Sequence, residues 1–303
     1  MRERIKTIAE RLRVNTGLTG KGITMGFLDG GFAYHPDFSN PSGRIKAFHD
    51  VLNPDKEAHF EFEENLSAYH GTCVVMSAIG KGDYPGLSPD VDLVLVDVGR
   101  EDVLDDDHIA KGFEWFLKNH KKYGIRVIVT ACNASEHCEY VNEVVDALAD
   151  KGVVVVAAAG NGRGRPWPPA TSKKCITVGG YFDGGDGLDF LEYVHKCNES
   201  KPTILAPATD IPVPMIDGYN DKNIAEKYFL GSLEKEDFVI RKRIISKNYR
   251  LIDGTSLAAP IVGSVIALML EARPDLTPLE IERIIKDTSN MGAICVDKIL
   301  AYI

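Results

Sequence analysis

The sequence predicts an α/β fold in which a doubly wound, mostly parallel sheet is flanked by helices. One observation is a series of short apolar runs, nearly continuous in Val, Ile and Leu, which are typical of strands buried on both faces of a parallel sheet. A second observation is that helical patterns separate these runs, because alternating strands and helices favour an α/β sheet. The predicted strands are residues 23–29, 91–98, 126–132, 153–160 and 175–182.

Helices are predicted between and after these strands, over residues 70–80, 106–124, 140–152, 256–272 and 277–289. The second and third of them have lysine near the end and then glycine, which is a common way for a helix to stop. The last one begins with Thr277, Pro278 and Glu280, the pattern of a capping box with proline in the first turn. These start and stop signals support the alternation of strands and helices.

The whole chain, residues 1–303, is predicted to form one domain with two additions to the alternating pattern. Apolar residues at helical spacing predict an N-terminal helical extension over about residues 1–14. Residues 208–250 interrupt the alternation with a charged, mixed stretch that contains one strand-like piece at 238–246. We expect this stretch to be an elaborated loop or hairpin at the edge of the sheet.

Composition and charge argue against some partners and favour one compartment. The formal net charge of −9 and the pI near 5.4 argue against nucleic acid as the main partner. Apolar runs stay short of the roughly 18 residues that a membrane-crossing helix needs, so no membrane partner is expected. The N-terminal stretch lacks the apolar core of a secretory signal, and the six cysteines are scattered in the manner of free thiols. We therefore expect a cytoplasmic protein, and nothing in the sequence indicates its oligomeric state.

Four polar residues stand where functional groups gather in a parallel sheet, at the carboxyl ends of strands or the starts of helices. Asp29 closes the first predicted strand and Asn161 follows the fourth, while His70 and Ser256 open predicted helices. An acid, an amide, a base and a hydroxyl are the parts of an acyl-transfer centre. There the carboxylate orients the imidazole, the imidazole takes the serine proton and the amide donates to the oxyanion. Ser256 and the preceding Thr255 could also do no more than cap a helix.

The segments around these residues resemble those of subtilisin-like serine proteases, the subtilases or peptidase S8 family. The Asp segment reads GKGITMGFLDGGFAYHPDF, the His segment HGTCVVMSAIGKG and the Ser segment GTSLAAPIVGSVIALML. The resemblance covers roughly residues 15–290, and the order Asp, His, Ser is that of subtilisin. It implies a subtilisin-like three-layer fold and a catalytic triad of Asp29, His70 and Ser256. It also implies that Asn161 donates to the oxyanion.

The same resemblance implies a serine endopeptidase that cuts a peptide or protein substrate through an acyl-enzyme. Its substrate-binding residues would be Thr130, Ala131, Cys132, Asn133 and Gly160. The first four replace the Ser-Leu-Gly or Ser-Trp-Gly that the family usually has, so we expect restricted specificity. A catalytically weak or inactive binding or regulatory protein with the same fold is the alternative that the sequence leaves open.

Two other positions depart from the family pattern. Gly30 follows the aspartate where the family usually has Thr or Ser, which removes a side-chain hydrogen bond near the carboxylate. Cys73 stands in place of the second histidine of the His segment. Three residues beyond His70, it would share a helix face with that histidine, either as an inert buried thiol or as a point where oxidation interferes.

No cofactor and no catalytic metal are expected. Cys132, His137 and Cys138 lack the partner pair of a zinc site. Residues 183–189, DGGDGLD, carry carboxylates and glycines but are too few for an EF-hand loop. A structural calcium ion is therefore left open rather than expected.

Overall fold

The computed structural model describes residues 4–33, 35, 43–55, 66–100, 103–161, 165–183, 201–214, 245–246 and 248–303. The described strands are β1 Thr24–Asp29, β2 Ile45–Asp50, β3 Asp92–Asp97, β4 Gly99–Arg100, β5 Val103–Leu104, β6 Ile125–Thr130, β7 Val154–Ala158, β8 Ile176–Tyr181, β9 Ile204–Pro207, β10 Ile211–Pro214 and β11 Tyr249–Ile252. The described helices are α1 Ile8–Arg11, α2 Leu66–Ile79, α3 Asp106–Tyr123, α4 Glu139–Asp150, α5 Thr255–Ala272, α6 Pro278–Thr288 and α7 Val296–Tyr302.

Seven of the described strands form one sheet in the order β2-β3-β1-β6-β7-β8-β9, and every neighbouring pair in it is parallel. This arrangement confirms the predicted doubly wound α/β fold. Strands β2 and β3 lie on one side of β1, and the later strands of the sheet lie on the other side. The strand order therefore reverses between β1 and β6. In open α/β sheets, ligands bind at such a reversal, outside the carboxyl ends of the strands.

The two edge strands of the sheet, β2 and β9, are not among the predicted strands. Most of β2 is only partly buried, so its sequence IKAFHD lacks the continuous apolar run of a central strand. Strand β9 has four residues, ILAP, and ends in a proline, which an edge tolerates. Both differences have one cause, because an edge strand needs neither a long nor an uninterrupted apolar run.

The hydrophobic core lies on both faces of the sheet. Met25 and Phe27 of β1 pack on one face with α2 and α5, whereas Leu28 packs on the other face with α3 and α4. Gly26 lets α3 approach closely, because a Cβ there would lie 2.6 Å from the ring of Phe116. Within the described part of the chain, α5 is long and apolar enough to cross a membrane by length and composition, and 83% of it is buried inside the fold. Its apolar sequence is accounted for by its place in the core.

Helix α2 begins at Leu66, four residues before its predicted start, so His70 lies in the second turn rather than at the helix start. The reason is that the preceding residues, LSAY, contain no helix breaker, and the sequence pattern alone did not separate them from a loop. Gly71 then packs against the loop after β1, since a Cβ at this position would lie 2.1 Å from the carbonyl oxygen of Gly31. This contact brings the helix up against the end of β1.

The predicted N-terminal extension contains one described helical turn, α1, which Thr7 and Glu10 close with a capping box. From this turn, Arg11 donates to the carboxylate of Asp183 over 2.7 Å and to the carbonyl oxygen of Thr209 over 2.8 Å. The N-terminal turn is therefore tied to the end of the sheet at which β8 finishes.

The predicted segment 208–250 is described only at its two ends. There β10 and β11 form an antiparallel pair. The strand-like piece at 238–246 lies almost wholly outside the described residues. The division of the chain into one domain with two additions therefore stays a prediction.

Candidate active site

The first part of the candidate site is an aspartate and a histidine held against each other. Asp29, the last residue of β1, is 1% exposed. Its Oδ1 accepts a hydrogen bond from the N–H of Gly30 over 2.8 Å and lies 2.8 Å from Nδ1 of His70. Because an ionised carboxylate can only accept, Nδ1 of His70 carries the proton of this bond. In the neutral ring, Nε2 is then left as the basic atom.

The pKa of His70 is raised above its ordinary value. Partial burial of the ring acts downward on this pKa, and it is outweighed by the negative charge of Asp29 and by the hydrogen bond to that carboxylate. The side chain of His70 remains 47% exposed, so solvent and a substrate can still reach the ring. The arrangement is that of a base which is oriented and made more basic by a buried carboxylate.

The second part of the site lies at the start of α5, where Ser256 is the second helical residue. The N-cap of this helix is Gly254, so the N-cap residue itself makes no side-chain capping hydrogen bond, and neither does Ser256 among the described contacts. The reading of Ser256 as a mere helix cap therefore fails. Its hydroxyl has no hydrogen-bond partner within the described ranges, and its side chain is only partly buried.

Asn161 is fixed to the same helix start by Thr255. Its Oδ1 accepts from the backbone N–H of Thr255 over 2.8 Å and from the Thr255 hydroxyl over 3.0 Å. Since a backbone N–H can only donate, the amide oxygen must face the helix, and Nδ2 is left as a donor. The residue is exposed, and Nδ2 would lie 3.3 Å from a Cβ built on Gly254. Asn161 thus presents an N–H group beside the residues that precede Ser256.

The described structure joins these residues in two bonded pairs, Asp29 with His70 and Asn161 with Thr255. The helices that carry the two pairs, α2 and α5, also contact each other. Near that contact the hydroxyl of Ser264 donates to the carbonyl oxygen of Ala78 over 3.0 Å. The two helices therefore pack in one core, and this contact lies eight residues beyond His70 and beyond Ser256 along their helices.

Thr255 is a residue of the candidate site for which the sequence predicted only a capping role. Its hydroxyl donates to Asn161 and accepts from the N–H of Gly160 over 3.1 Å. The available signal was its place directly before the candidate nucleophile, in a segment that otherwise holds small and apolar residues.

The predicted substrate-binding residues lie in two different settings. Thr130 and Cys132 are buried, with exposures of 0% and 2%, so their side chains do not face solvent. Ala131 and Asn133 are partly exposed, and the amide of Asn133 donates to the carbonyl oxygen of Trp167 over 3.2 Å. The N–H of Gly160 is taken by Thr255. The role of this set in substrate binding stays a prediction.

A metal site was left open by the sequence and is not found among the residues with a described position. Within them, no group of three or more His, Cys, Asp or Glu side chains is placed to hold a metal ion. The calcium-like stretch at 183–189 lies outside the described residues except for Asp183, which is bonded to Arg11.

Comparison with known proteins identifies the chain's family. The sequence model of the subtilase family, peptidase S8, matches residues 20–300. The chain belongs to the subtilase family. Over 298 residues, this subtilase is 28% identical to the serine protease AprX of Bacillus subtilis, an alignment that covers 92% of this chain and 63% of that protein. It is 24% identical to subtilisin Savinase of Lederbergia lenta over 278 residues, with 91% and 86% covered.

Solved structures agree in fold. A cold-adapted subtilisin-like serine proteinase superposes with a TM-score of 0.68 at 22% identity, covering 92% of this chain and 86% of that one. The protease domain of PatA superposes with a TM-score of 0.69 at 20% identity, covering 94% of this chain and 96% of that one. The subtilase spans 63% of AprX and 61% of the M-protease of Shouchella clausii, so it matches a part of these longer relatives.

Proposed function

We propose that this subtilase is a serine endopeptidase in which Asp29, His70 and Ser256 act as the catalytic triad. The observation that carries the proposal is the 2.8 Å bond between the buried Asp29 carboxylate and Nδ1 of His70. This bond leaves Nε2 as the base, with its pKa raised, at the edge of the sheet where ligands of this fold bind. The hydroxyl of Ser256, free of described partners, is the group to be activated.

In the proposed reaction, Ser256 Oγ attacks the carbonyl carbon of a peptide bond while its proton passes to Nε2 of His70. The tetrahedral intermediate collapses when His70 gives this proton to the departing amine, and an acyl-enzyme remains on Ser256. A water molecule then attacks the acyl carbon by the same proton route and releases the acid. Asp29 keeps the imidazole oriented and stabilises its positive charge at each stage.

Two hydrogen-bond donors would stabilise the negative oxygen of the tetrahedral intermediate. Asn161 supplies Nδ2, because its Oδ1 is occupied by Thr255. The backbone N–H of Ser256 supplies the second, since it lies in the first turn of α5, where amides have no partner inside the helix and the helix dipole is positive. Donors fixed before the reaction are the largest single contribution to catalysis in many acyl-transfer enzymes.

We also propose that the substrate is a peptide or protein and that specificity is restricted. Support comes from Asn133, whose amide contacts the carbonyl oxygens of Ala158 and Trp167 over 3.4 Å and 3.2 Å. The Asn133 side chain thus connects the end of β6 to the last residue of β7 and to the segment that follows it. This polar side chain stands in the segment where the family usually has Ser-Leu-Gly or Ser-Trp-Gly.

The decisive experiment is labelling by a fluorophosphonate probe. In that reaction, Ser256 Oγ would form a bond to phosphorus, fluoride would leave, and the serine proton would pass to His70. We expect the wild-type chain to be labelled and Ser256→Ala not to be labelled. The matched control is Ser289→Ala, which removes a partly exposed helix-end hydroxyl that donates to the carbonyl oxygen of Lys286. A folded wild-type chain that takes no label would instead support the inactive binding protein.

A cytoplasmic location is proposed on the cysteines. Cys73, Cys132, Cys138, Cys175 and Cys295 form no disulfide with one another in the described structure, as suits a reducing compartment. Maleimide labelling of the unfolded, unreduced protein from its native cells should count all six cysteines of the chain as thiols. Fewer than six would argue for an oxidising compartment.

A further inference from the structure

Two hydrogen bonds fasten the backbone just before the candidate nucleophile to the turn of residues 208–210, which joins β9 to β10. The carboxylate of Asp253 accepts from the backbone N–H of Asp210 over 2.8 Å. The backbone N–H of Gly254 donates to the carbonyl oxygen of Ala208 over 2.7 Å. The first bond is made by a side chain, so a substitution can remove it, whereas the second belongs to the main chain.

The turn of residues 208–210 is itself anchored in the sheet. The N–H of Ala208 donates to the carbonyl oxygen of Tyr181, the last residue of β8, over 3.0 Å. On the other side of the turn, β10 pairs with β11 so that Ile211 lies opposite Ile252. The bond to the Asp253 carboxylate therefore lies one residue beyond the end of the β10–β11 pair. The turn is a fixed point from which the start of α5 can be held.

The backbone on both sides of these bonds adopts conformations that few residues take up. Asp210 has a φ of 50°, in the left-handed region that costs free energy for any residue other than glycine. Gly254 has a φ of 151°, and a Cβ built on it would lie 3.3 Å from Nδ2 of Asn161. Such conformations persist where the surroundings fix them. The bond between Asp253 and Asp210 is one such constraint.

Arg11 holds the same turn from the N-terminal side. Its Nη1 donates to the carbonyl oxygen of Thr209 over 2.8 Å and lies 3.4 Å from that of Asp210. Its Nε donates to the carboxylate of Asp183 over 2.7 Å, and the Arg11 side chain is only 6% exposed. The arginine therefore binds the carbonyl side of the turn, and Asp253 binds an N–H group on its other side.

We propose that Asp253 is a positioning residue, which acts together with Arg11 to fix the turn of residues 208–210 and so the backbone from which Ser256 projects. The effect of Asp253 on catalysis rests on the proposed protease function. Its effect on the backbone of residues 253–255 does not.

The main variant is Asp253→Ala, which removes the acceptor for the N–H of Asp210. The rate constant for fluorophosphonate labelling of Ser256 should fall by about tenfold, because the nucleophile is less well placed. With a peptide substrate the loss should appear in kcat rather than in KM, since the carboxylate acts on the position of the nucleophile. Asp253→Asn keeps an oxygen acceptor and should label within about threefold of the wild-type rate.

The matched control is Asp105→Ala. The carboxylate of Asp105 also accepts a backbone N–H over 2.8 Å at an exposed position, at the N-cap of α3. Its loss should lower stability without slowing the labelling of Ser256. Equal slowing in Asp253→Ala and Asp105→Ala would overturn the proposal, because the effect would then be one of general stability. Equal slowing in Asp253→Ala and Asp253→Asn would overturn it as well, since the hydrogen bond would not be the cause.

Arg11→Met provides a second test and replaces the first if Asp253→Ala does not fold. The methionine keeps an apolar stem but has no donor for the turn. Labelling should slow by about threefold in Arg11→Met, and not in Arg13→Met, which changes an exposed arginine nearby. In the double variant with Asp253→Ala, the two losses should combine to less than their product, because both act through one turn. Fully multiplicative losses would contradict this shared route.

Amide hydrogen exchange measured by NMR on the full-length chain needs no activity. Exchange of the Gly254 N–H should speed up by about tenfold in Asp253→Ala and stay unchanged in Asp105→Ala. Unchanged exchange at Gly254 would overturn the proposal. A wild-type chain that takes no fluorophosphonate label but shows the faster exchange in Asp253→Ala would refute the protease function and leave the positioning role of Asp253 intact.

Discussion

The two bonded pairs of the candidate site differ in charge. Asp29 and His70 form a charged pair, in which one partner is buried and the other is about half exposed. Asn161 and Thr255 form a neutral pair at the start of α5, with Asn161 exposed. In the proposed reaction, the first pair would determine how the rate depends on pH, and the second would determine how well the oxyanion is stabilised. Variants in one pair should therefore leave the signature of the other unchanged.

The largest effect is expected from His70→Ala. Without Nε2 there is no base for the proton of Ser256, so kcat should fall on the order of 10⁶-fold. In the variant, the residual rate of peptide hydrolysis should also no longer fall with acidification in the way that titration of His70 imposes on the wild type. The control is His137→Ala, which removes an exposed histidine outside the site and should leave the rate unchanged. Substantial residual activity with an unaltered acid limb would show that another group is the base.

A smaller effect is expected from Asn161→Ala. Loss of one oxyanion donor costs about 10²- to 10³-fold in kcat with little change in KM, because the donor acts on the transition state. The midpoint of the acid limb should stay where it is in the wild type. A shifted midpoint would show that the two pairs are electrostatically coupled and do not have separate roles.

A still smaller effect is expected from Thr255→Val. The Thr255 backbone N–H continues to bind Oδ1 of Asn161, but the hydroxyl bonds to Asn161 and from Gly160 are lost. We expect kcat to fall about tenfold through a less well-placed amide. Thr209→Val is the matched control, since the Thr209 hydroxyl is buried without a hydrogen-bond partner among the described residues. Equal losses in both variants would assign the effect to packing.

The pH dependence of the unmutated protein tests the role of the Asp29–His70 pair by itself. In the proposed reaction, neutral His70 is the active form. Because the pKa of His70 is raised, kcat/KM should fall with acidification through a midpoint above about 6.5, the ordinary value. Stability should respond with the opposite sign. A raised folded-state pKa stabilises the fold below the unfolded pKa, and this contribution is lost as the pH rises through the folded pKa. Rate profiles and urea unfolding on one pH series test both, and an activity midpoint below the ordinary value would contradict the assignment.

The sequence predicted the fold well where burial is complete. Strand β7 is the clearest case, because all five of its residues, VVVAA, are buried and apolar. Edge strands are harder to predict, since exposed residues such as Lys46 are as common in loops. The start of α2 was predicted too late, because LSAY carries no start signal.

The sequence named the residues of the candidate site, whose roles stay predictions, but it did not predict their contacts. Motif order identified Asp29, His70, Ser256 and Asn161, because each stands in a recognisable segment. The bonds between Asp29 and His70 and between Asn161 and Thr255 join residues 41 and 94 positions apart, and such distant contacts leave no periodic trace in the sequence.

The bond between Asn161 and Thr255 has a mechanical consequence. Because the Asn161 amide is bonded to the residue before Ser256, the proposed nucleophile and the proposed oxyanion donor should move together when α5 shifts against the sheet. His70 sits on another helix and does not share this motion. Thermal fluctuation or a distant core mutation should then change the distance between His70 and Ser256 more readily than the distance between Asn161 and Ser256.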